Sequence, residues 1–264
     1  MFHYKQQKKK DINTNLLIKV GLGLTAAGAA GSSMYNNQKV LKQFFKNPSV
    51  MGEIAPFSSS TIHSLTRPLR RLVEKRLLCS GPEQKCHPIR VLEIGAGSGM
   101  LTKQICEIMN VLKDDKQNHQ DTFDVVEMEQ AFESDLNEIQ KTCSLMKVHI
   151  KDFQSFSTNT KYKYNIIIST LPEQTIDFDP LAVILKLMNK LLKTNGYLMR
   201  VQYITNMLWL QKFMTKEQVE KYKKVMELKK KFDFVHNAKR HIVWNNVPPT
   251  YVITIKKTED LFKK

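Results

Sequence analysis

Two rhythms of apolar residues alternate along the middle of this chain. Short, nearly continuous apolar runs occupy residues 91–94, 123–126, 147–150 and 164–170, and later 197–204, 240–244 and 251–255. Runs of this length, rich in β-branched residues and bounded by turn-forming residues, predict strands buried on both faces. Between them the period changes. Leu101, Ile105, Ile108 and Leu112 recur at steps of four, three and four, and Phe132, Leu136 and Ile139 repeat the pattern. Such spacing gives one apolar face of a helix lying on a sheet. Residues 181–192 are almost wholly apolar, follow Asp179-Pro180 and precede Asn195-Gly196, which predicts a helix begun and stopped by those pairs. Residues 207–231 also read as helical and become rich in lysine. Strand and helix alternating in this order predict an α/β fold around a parallel sheet.

The first run ends in the candidate chemistry: Val91-Leu92-Glu93-Ile94-Gly95-Ala96-Gly97-Ser98-Gly99. Glycines at every second position let the backbone turn through conformations a Cβ would forbid, and leave the main chain bare for a ligand. A dinucleotide fingerprint requires Gly-x-Gly-x-x-Gly, with the third glycine opening the helix. Here the order is Glu-x-Gly-x-Gly-x-Gly and position 100 is Met, which argues against a nicotinamide or flavin site. Glu127 ends the second run, and Asp152 follows the third directly. An ionised carboxylate at a strand end can accept from two neighbouring hydroxyls, while Asp after a strand is also ordinary turn chemistry. The fourth run ends in Ser169-Thr170-Leu171-Pro172-Glu173.

The glycine segment resembles motif I of the class I S-adenosylmethionine-dependent methyltransferases, and Ser-Thr-Leu-Pro resembles the Ser-x-Leu-Pro of bacterial phospholipid N-methyltransferases. Two further stretches fit that family. Residues 45–60, with Pro48, a Gly52-Glu53-Ile54 turn and Pro56 before three serines, resemble its upstream loop, except that Phe57 is inserted between Pro and Ser. Asn246-Val247-Pro248-Pro249 resembles the Asn-Leu-Pro-Pro that opens the family's last strand. The resemblance runs from about residue 40 to 257. It implies a Rossmann-like, seven-stranded, mostly parallel sheet with helices on both faces, a final antiparallel hairpin and an N-terminal helical extension.

The resemblance also implies site roles. Gly95, Ala96, Gly97 and Gly99 would form the cofactor floor, Glu93 would orient that loop or the methionine amine, Glu127 would hold the ribose, and Asp152 would face the adenine. Ser169, Leu171 and Pro172 would border the methyl-transfer point, beneath a covering loop of Ser58, Ser59 and Ser60. The cofactor implied is S-adenosyl-L-methionine, and the acceptor is the amine of phosphatidylethanolamine with its mono- and dimethyl products. No general base is identified, and Glu129 and Glu173 are candidate cation stabilisers that nothing in the sequence sets above ordinary surface carboxylates. An RNA base methyltransferase is the competing reading. It is weakened because the fourth run lacks the Asn and the aromatic residue that clamp a planar base. A non-catalytic, membrane-bound protein retaining the cofactor fold is the third.

Charge bears on the choice of partner. The chain has 264 residues and a formal net charge of +16. Residues 1–76 carry 13 Lys and Arg against 3 Asp and Glu, and residues 212–240 carry 10 against 4, so the remainder is neutral. An anionic bilayer and a nucleic acid would both be attracted to such patches. On a wheel of about 100° per residue, Val40, Leu41, Phe44 and Phe45 share one face while Lys39, Lys42 and Lys46 share the other. That segregation suits a helix packing its apolar face on the catalytic core or, the favoured reading, lying in an anionic phospholipid surface, with nucleic acid the less favoured partner.

Residues 1–35 form a basic, Gly/Ala-rich leader, with residues 36–84 as the helical extension, 85–257 as the cofactor domain and 258–264 as a tail. The uncharged part of the leader, residues 20–34, falls short of the roughly 20 residues that span a bilayer. It predicts a mobile leader or weak anchor, and a cytoplasmic protein peripheral to the membrane. Cys79, Cys86, Cys106 and Cys143 form no Cys-x-x-Cys pair and read as reduced thiols, with no metal site expected.

Overall fold

The computed structural model describes residues 57–78, 87–112, 120–204, 215–246 and 249–258. The leader, the Lys/Phe segment at 39–46 and most of the upstream loop lie outside them. The described chain opens with α1 (Ser59–Leu77) and proceeds through β1 (Arg90–Ile94), α2 (Met100–Asn110), β2 (Thr122–Glu127) and a 3-10 turn at Gln130–Phe132. It continues with α3 (Glu133–Lys141), β3 (Met146–Ile150), α4 (Phe153–Asn159), β4 (Tyr164–Ser169), α5 (Phe178–Leu191) and β5 (Leu192–Tyr203). The last elements are α6 (Lys216–Val235), β6 (Lys239–Val243) and β7 (Thr250–Lys256).

The seven strands form one sheet in the order β3-β2-β1-β4-β5-β7-β6. The first five are parallel, and β7 runs antiparallel to both β5 and β6. Because β4 returns to the other side of β1, the strand order reverses between these two, and the loops that leave their carboxyl ends part to make a crevice. Strands so placed must be apolar on both faces. Val91, Leu92, Ile166, Ile167 and Ile168 are all fully buried.

Helices cover both faces, as the alternating pattern predicts. One core joins α1, α2 and α3 to the sheet through Leu65, Leu69, Ile105, Met109 and Leu136. The other joins α4 and α5 through Phe153, Phe156, Ile184, Met188 and Leu191, with Phe232 of α6 packed against it.

The helix expected to stop at Asn195-Gly196 ends at Leu191 instead, and β5 begins at the next residue. Leu192 already pairs with Tyr164, and a register shift separates that pair from Ile166 and Tyr197. Asn195, with a φ of 62°, lies within the irregularity. Gly196 presses so closely on its neighbour that a Cβ there would stand 2.9 Å from the Asn165 carbonyl oxygen. The Asn-Gly pair therefore serves a bulge rather than a helix cap. Helix α6 likewise reaches Val235, four residues past the expected end.

Candidate functional site

The cavity lies at the carboxyl ends of β1, β2 and β4, with a volume of about 290 Å³. Its floor is the glycine turn between β1 and α2. Gly95 has a φ of +83°, and a Cβ on it would come within 3.2 Å of Leu171 Cδ2 and 3.3 Å of Thr170 Oγ1. Only glycine gives both that backbone and that closeness to the end of β4. Thr170 secures the approach: its hydroxyl donates to the Gly95 carbonyl, and its amide donates to Ile94 O at 3.0 Å.

Gly99 acts elsewhere. It stands at the N-cap of α2 in a left-handed conformation, and a Cβ there would lie 2.3 Å from Ile139 Cδ1. It allows α2 to seat against α3, and it does not line the cavity as Gly95, Ala96 and Gly97 do.

Glu127 organises the turn. One carboxylate oxygen accepts the Gly97 amide at 2.8 Å, and the other accepts the amides of Met128 and Glu129 at 2.8 and 2.9 Å. Burial pushes its pKa above the ordinary carboxylate value, against the lowering effect of those three backbone donors. Glu93 is fully buried and lines the same cavity, and Thr102 of α2 donates to its Oε2 at 2.8 Å. Asp152 lies at the cavity edge and caps α4, accepting from the Ser155 amide at 2.9 Å. Hydrogen bonding from Ser155 holds its carboxyl below the usual range. The turn chemistry and the cavity position thus coexist in one side chain.

The far wall differs in detail from the sequence expectation. Leu171 and Pro172 line it together with Thr170 and Ile176. Ser169 does not: it is 1% exposed, one residue behind the wall, on the register position beside Arg200.

Ser58, Ser59 and Ser60, expected as a covering loop, do not line the cavity. The Ser58 side chain caps α1 by accepting from Thr61, and the Ser58 amide donates to Asn246 Oδ1 at 2.7 Å. Asn246 also accepts from the Thr61 hydroxyl at 2.9 Å, while Asn245 donates to the Ser60 hydroxyl at 2.7 Å. Residues 58–61 and 245–246, far apart in sequence, are therefore two halves of one latch. What the latch delivers to the cavity is Phe57, which is 7% exposed, lines the wall and stacks on Tyr203 at 6.1 Å between ring centroids. Phe57 is the very residue that interrupts the family pattern, and that interruption was the only signal for it.

Glu173 overturns its reading as a surface carboxylate. It is 3% exposed, and Arg200 Nη1 donates to both of its oxygens at 3.2 Å. Lys229 Nζ of α6 lies 3.0 Å from Oε2. Arg200 also donates to Asp233, which Arg240 reaches at 2.8 Å. Burial alone would raise the Glu173 carboxyl, but the two cations hold it below the ordinary value. Burial lowers the Lys229 ammonium despite Glu173 beside it.

Among the described residues, four carboxylates, Glu93, Glu127, Glu129 and Asp152, line the cavity with one cation, Lys151. In a chain of net charge +16 this is a local reversal of sign. Among the described residues, no group of three or more His, Cys, Asp and Glu could hold a metal ion, and no helix is long and apolar enough to cross a membrane.

No protein-family model matches the sequence, and a search of curated proteins finds no match. Solved structures do share its architecture. The O-methyltransferase TomG from Streptomyces achromogenes, involved in tomaymycin synthesis and solved with S-adenosylmethionine, is 10% identical and superposes with a TM-score of 0.54, covering 94% of this chain and 100% of its own. The CurJ carbon methyltransferase is 15% identical with a TM-score of 0.51, covering 94% and 81%. The chain shares the fold of these two methyltransferases. At such identities the likeness is one of fold, and the acceptors of those two enzymes do not carry over. On the methyltransferase fold the crevice beside β1 is where a ligand lies at the switch in strand order, and that is the position of the acidic cavity.

Proposed function

We propose that this chain is an S-adenosylmethionine-dependent methyltransferase acting on the amine of phosphatidylethanolamine, and on its mono- and dimethyl products, at an anionic membrane surface. The sign of the cavity is the observation that carries the cofactor. S-adenosylmethionine has a sulfonium and an ammonium against one carboxylate, so it is a cation, and a site with four carboxylates and one lysine suits it. The pyrophosphate of a dinucleotide would meet repulsion there. When bound, the cofactor supplies an electrophilic methyl group.

The protein's share is binding and alignment. Gly95 and Gly97 offer bare backbone, and Glu127 offers acceptor oxygens beside it. Glu93 and Asp152 add negative charge at the inner and outer limits of the cavity. Phe57, Leu171, Pro172 and Ile176 form an apolar wall that excludes water. An in-line transfer gains most of its rate from such alignment and needs no protein nucleophile. Desolvation also favours the neutral, reactive form of an amine.

The same wall supports a lipid amine over a nucleobase, since the end of β4 presents Thr170, Leu171 and Pro172 where a base clamp would need an amide and a ring. The Lys/Phe segment at 39–46 would bring the cavity to the cytoplasmic face of the membrane.

The test is to incubate the full-length chain with methyl-labelled S-adenosylmethionine and either phosphatidylethanolamine vesicles or total RNA. Label is expected in lipid. Label in RNA but not in lipid overturns the acceptor, and cofactor binding with transfer to neither supports the non-catalytic reading.

A further inference from the structure

The wall at residues 170–176 is a tight turn. The Glu173 amide donates to Leu171 O, and the Thr175 amide donates to Pro172 O, each at 2.8 Å. Its first residue is tied to the glycine turn through Thr170. Its middle is tied elsewhere, because the Glu173 carboxylate enters the protein away from the cavity and meets Arg200 and Lys229.

Helix α6 supplies more than Lys229 to this contact. Along one face, Val225 packs in a cluster with Leu181 and Leu185 of α5, and Ile176 and Phe232 lie against that cluster. A buried ionic cluster is a poor choice for stability alone, since apolar residues of similar volume commonly serve as well or better. It does fix geometry, because each carboxylate oxygen has a directed partner.

We propose that Glu173 is a positioning residue for the acceptor wall: gripped by Arg200 of β5 and Lys229 of α6, it fixes Leu171 and Pro172 at the cavity. Helix α6 is then a strut that sets the shape of the acceptor half from behind the wall, without lining the cavity itself. The kinetic consequence rests on the methyl-transfer reading given above, whereas the structural consequence rests on the geometry alone.

The experiment compares the full-length chain with Lys229→Met, Lys229→Arg and Glu173→Gln by amide hydrogen exchange and by kinetics with phosphatidylethanolamine vesicles. In Lys229→Met the Glu173 and Thr175 amides should exchange about tenfold faster, with Gly97 unchanged. The acceptor KM should rise about tenfold, while the dissociation constant of S-adenosylmethionine stays within about twofold. Lys229→Arg, which keeps the cation, should restore both. Should Lys229→Met fail to fold, Glu173→Gln, which keeps side-chain volume, provides the same comparison. Unchanged exchange at Glu173 and Thr175, or equal loosening of Gly97, overturns the proposal. If the wild type transfers methyl groups to no acceptor, the methyl-transfer reading fails and the exchange comparison still decides the positioning role.

Discussion

Replacing Arg200 with methionine is expected to destabilise the chain by about 3–5 kcal/mol. Arg200 is fully buried, and its guanidinium is shared between Glu173 and Asp233, which are themselves almost completely enclosed. Removing the cation leaves two buried carboxylates with reduced compensation, Glu173 beside Lys229 and Asp233 beside Arg240. The cost is that of stranded charge, so a well-packed methionine does not recover it. Urea unfolding should show the midpoint falling by about 1–2 M with an unchanged slope. Arg240→Met is the comparison: that side chain is 43% exposed, and its pair with Asp233 should be worth no more than about 1 kcal/mol. Equal effects of the two substitutions would show that the cluster is not an energetic unit.

Glu127→Gln is expected to weaken S-adenosylmethionine binding about 100-fold, or about 2.7 kcal/mol. The carboxylate accepts from three backbone amides that define the turn, using both oxygens. An amide side chain has one oxygen and one donor group, so it must turn an N–H toward an N–H on one side. The pH dependence follows from the raised pKa. The folded protein holds this proton more tightly than the unfolded chain, so ionising Glu127 costs stability as pH rises through the ordinary carboxylate range to the raised value. Binding needs the ionised form. Cofactor affinity should therefore fall on acidification, starting at a pH above that at which an ordinary glutamate titrates. A binding profile for Glu127→Gln that still bends in that range would assign the titration to another group.

The parts of the fold that depend on local rhythm were legible in the chain. Strands β1 and β4 could be read because central parallel strands are apolar throughout, and α2 because its apolar spacing covers one face. The glycine turn was legible too, since three alternate glycines after a strand have few other physical uses. Gly99 was less so. Whether a glycine meets a ligand or a neighbouring helix depends on where Ile139 arrives, 40 residues later.

Non-local partnership explains the other differences. Glu173 looks like any carboxylate in a loop until Arg200 and Lys229 converge on it from β5 and α6. Lys229 and Asp233 meanwhile sit in a segment whose charge reads as a basic patch for an anionic partner, although both are buried. Asn195-Gly196 has the composition of a helix stop, but pairing of Leu192 with Tyr164 draws the chain into β5 first. Ser58 and Asn246 each belonged to a recognisable stretch, and only the fold shows that the two stretches grip each other to place Phe57.

The central claim is that the acidic crevice is built for the cationic adenosyl cofactor. Calorimetric titration of the full-length chain with S-adenosylmethionine, and separately with NAD, tests it most directly. One molecule of S-adenosylmethionine should bind per chain, displaced by S-adenosylhomocysteine, with no heat from NAD. Binding of NAD with none of S-adenosylmethionine would contradict the account.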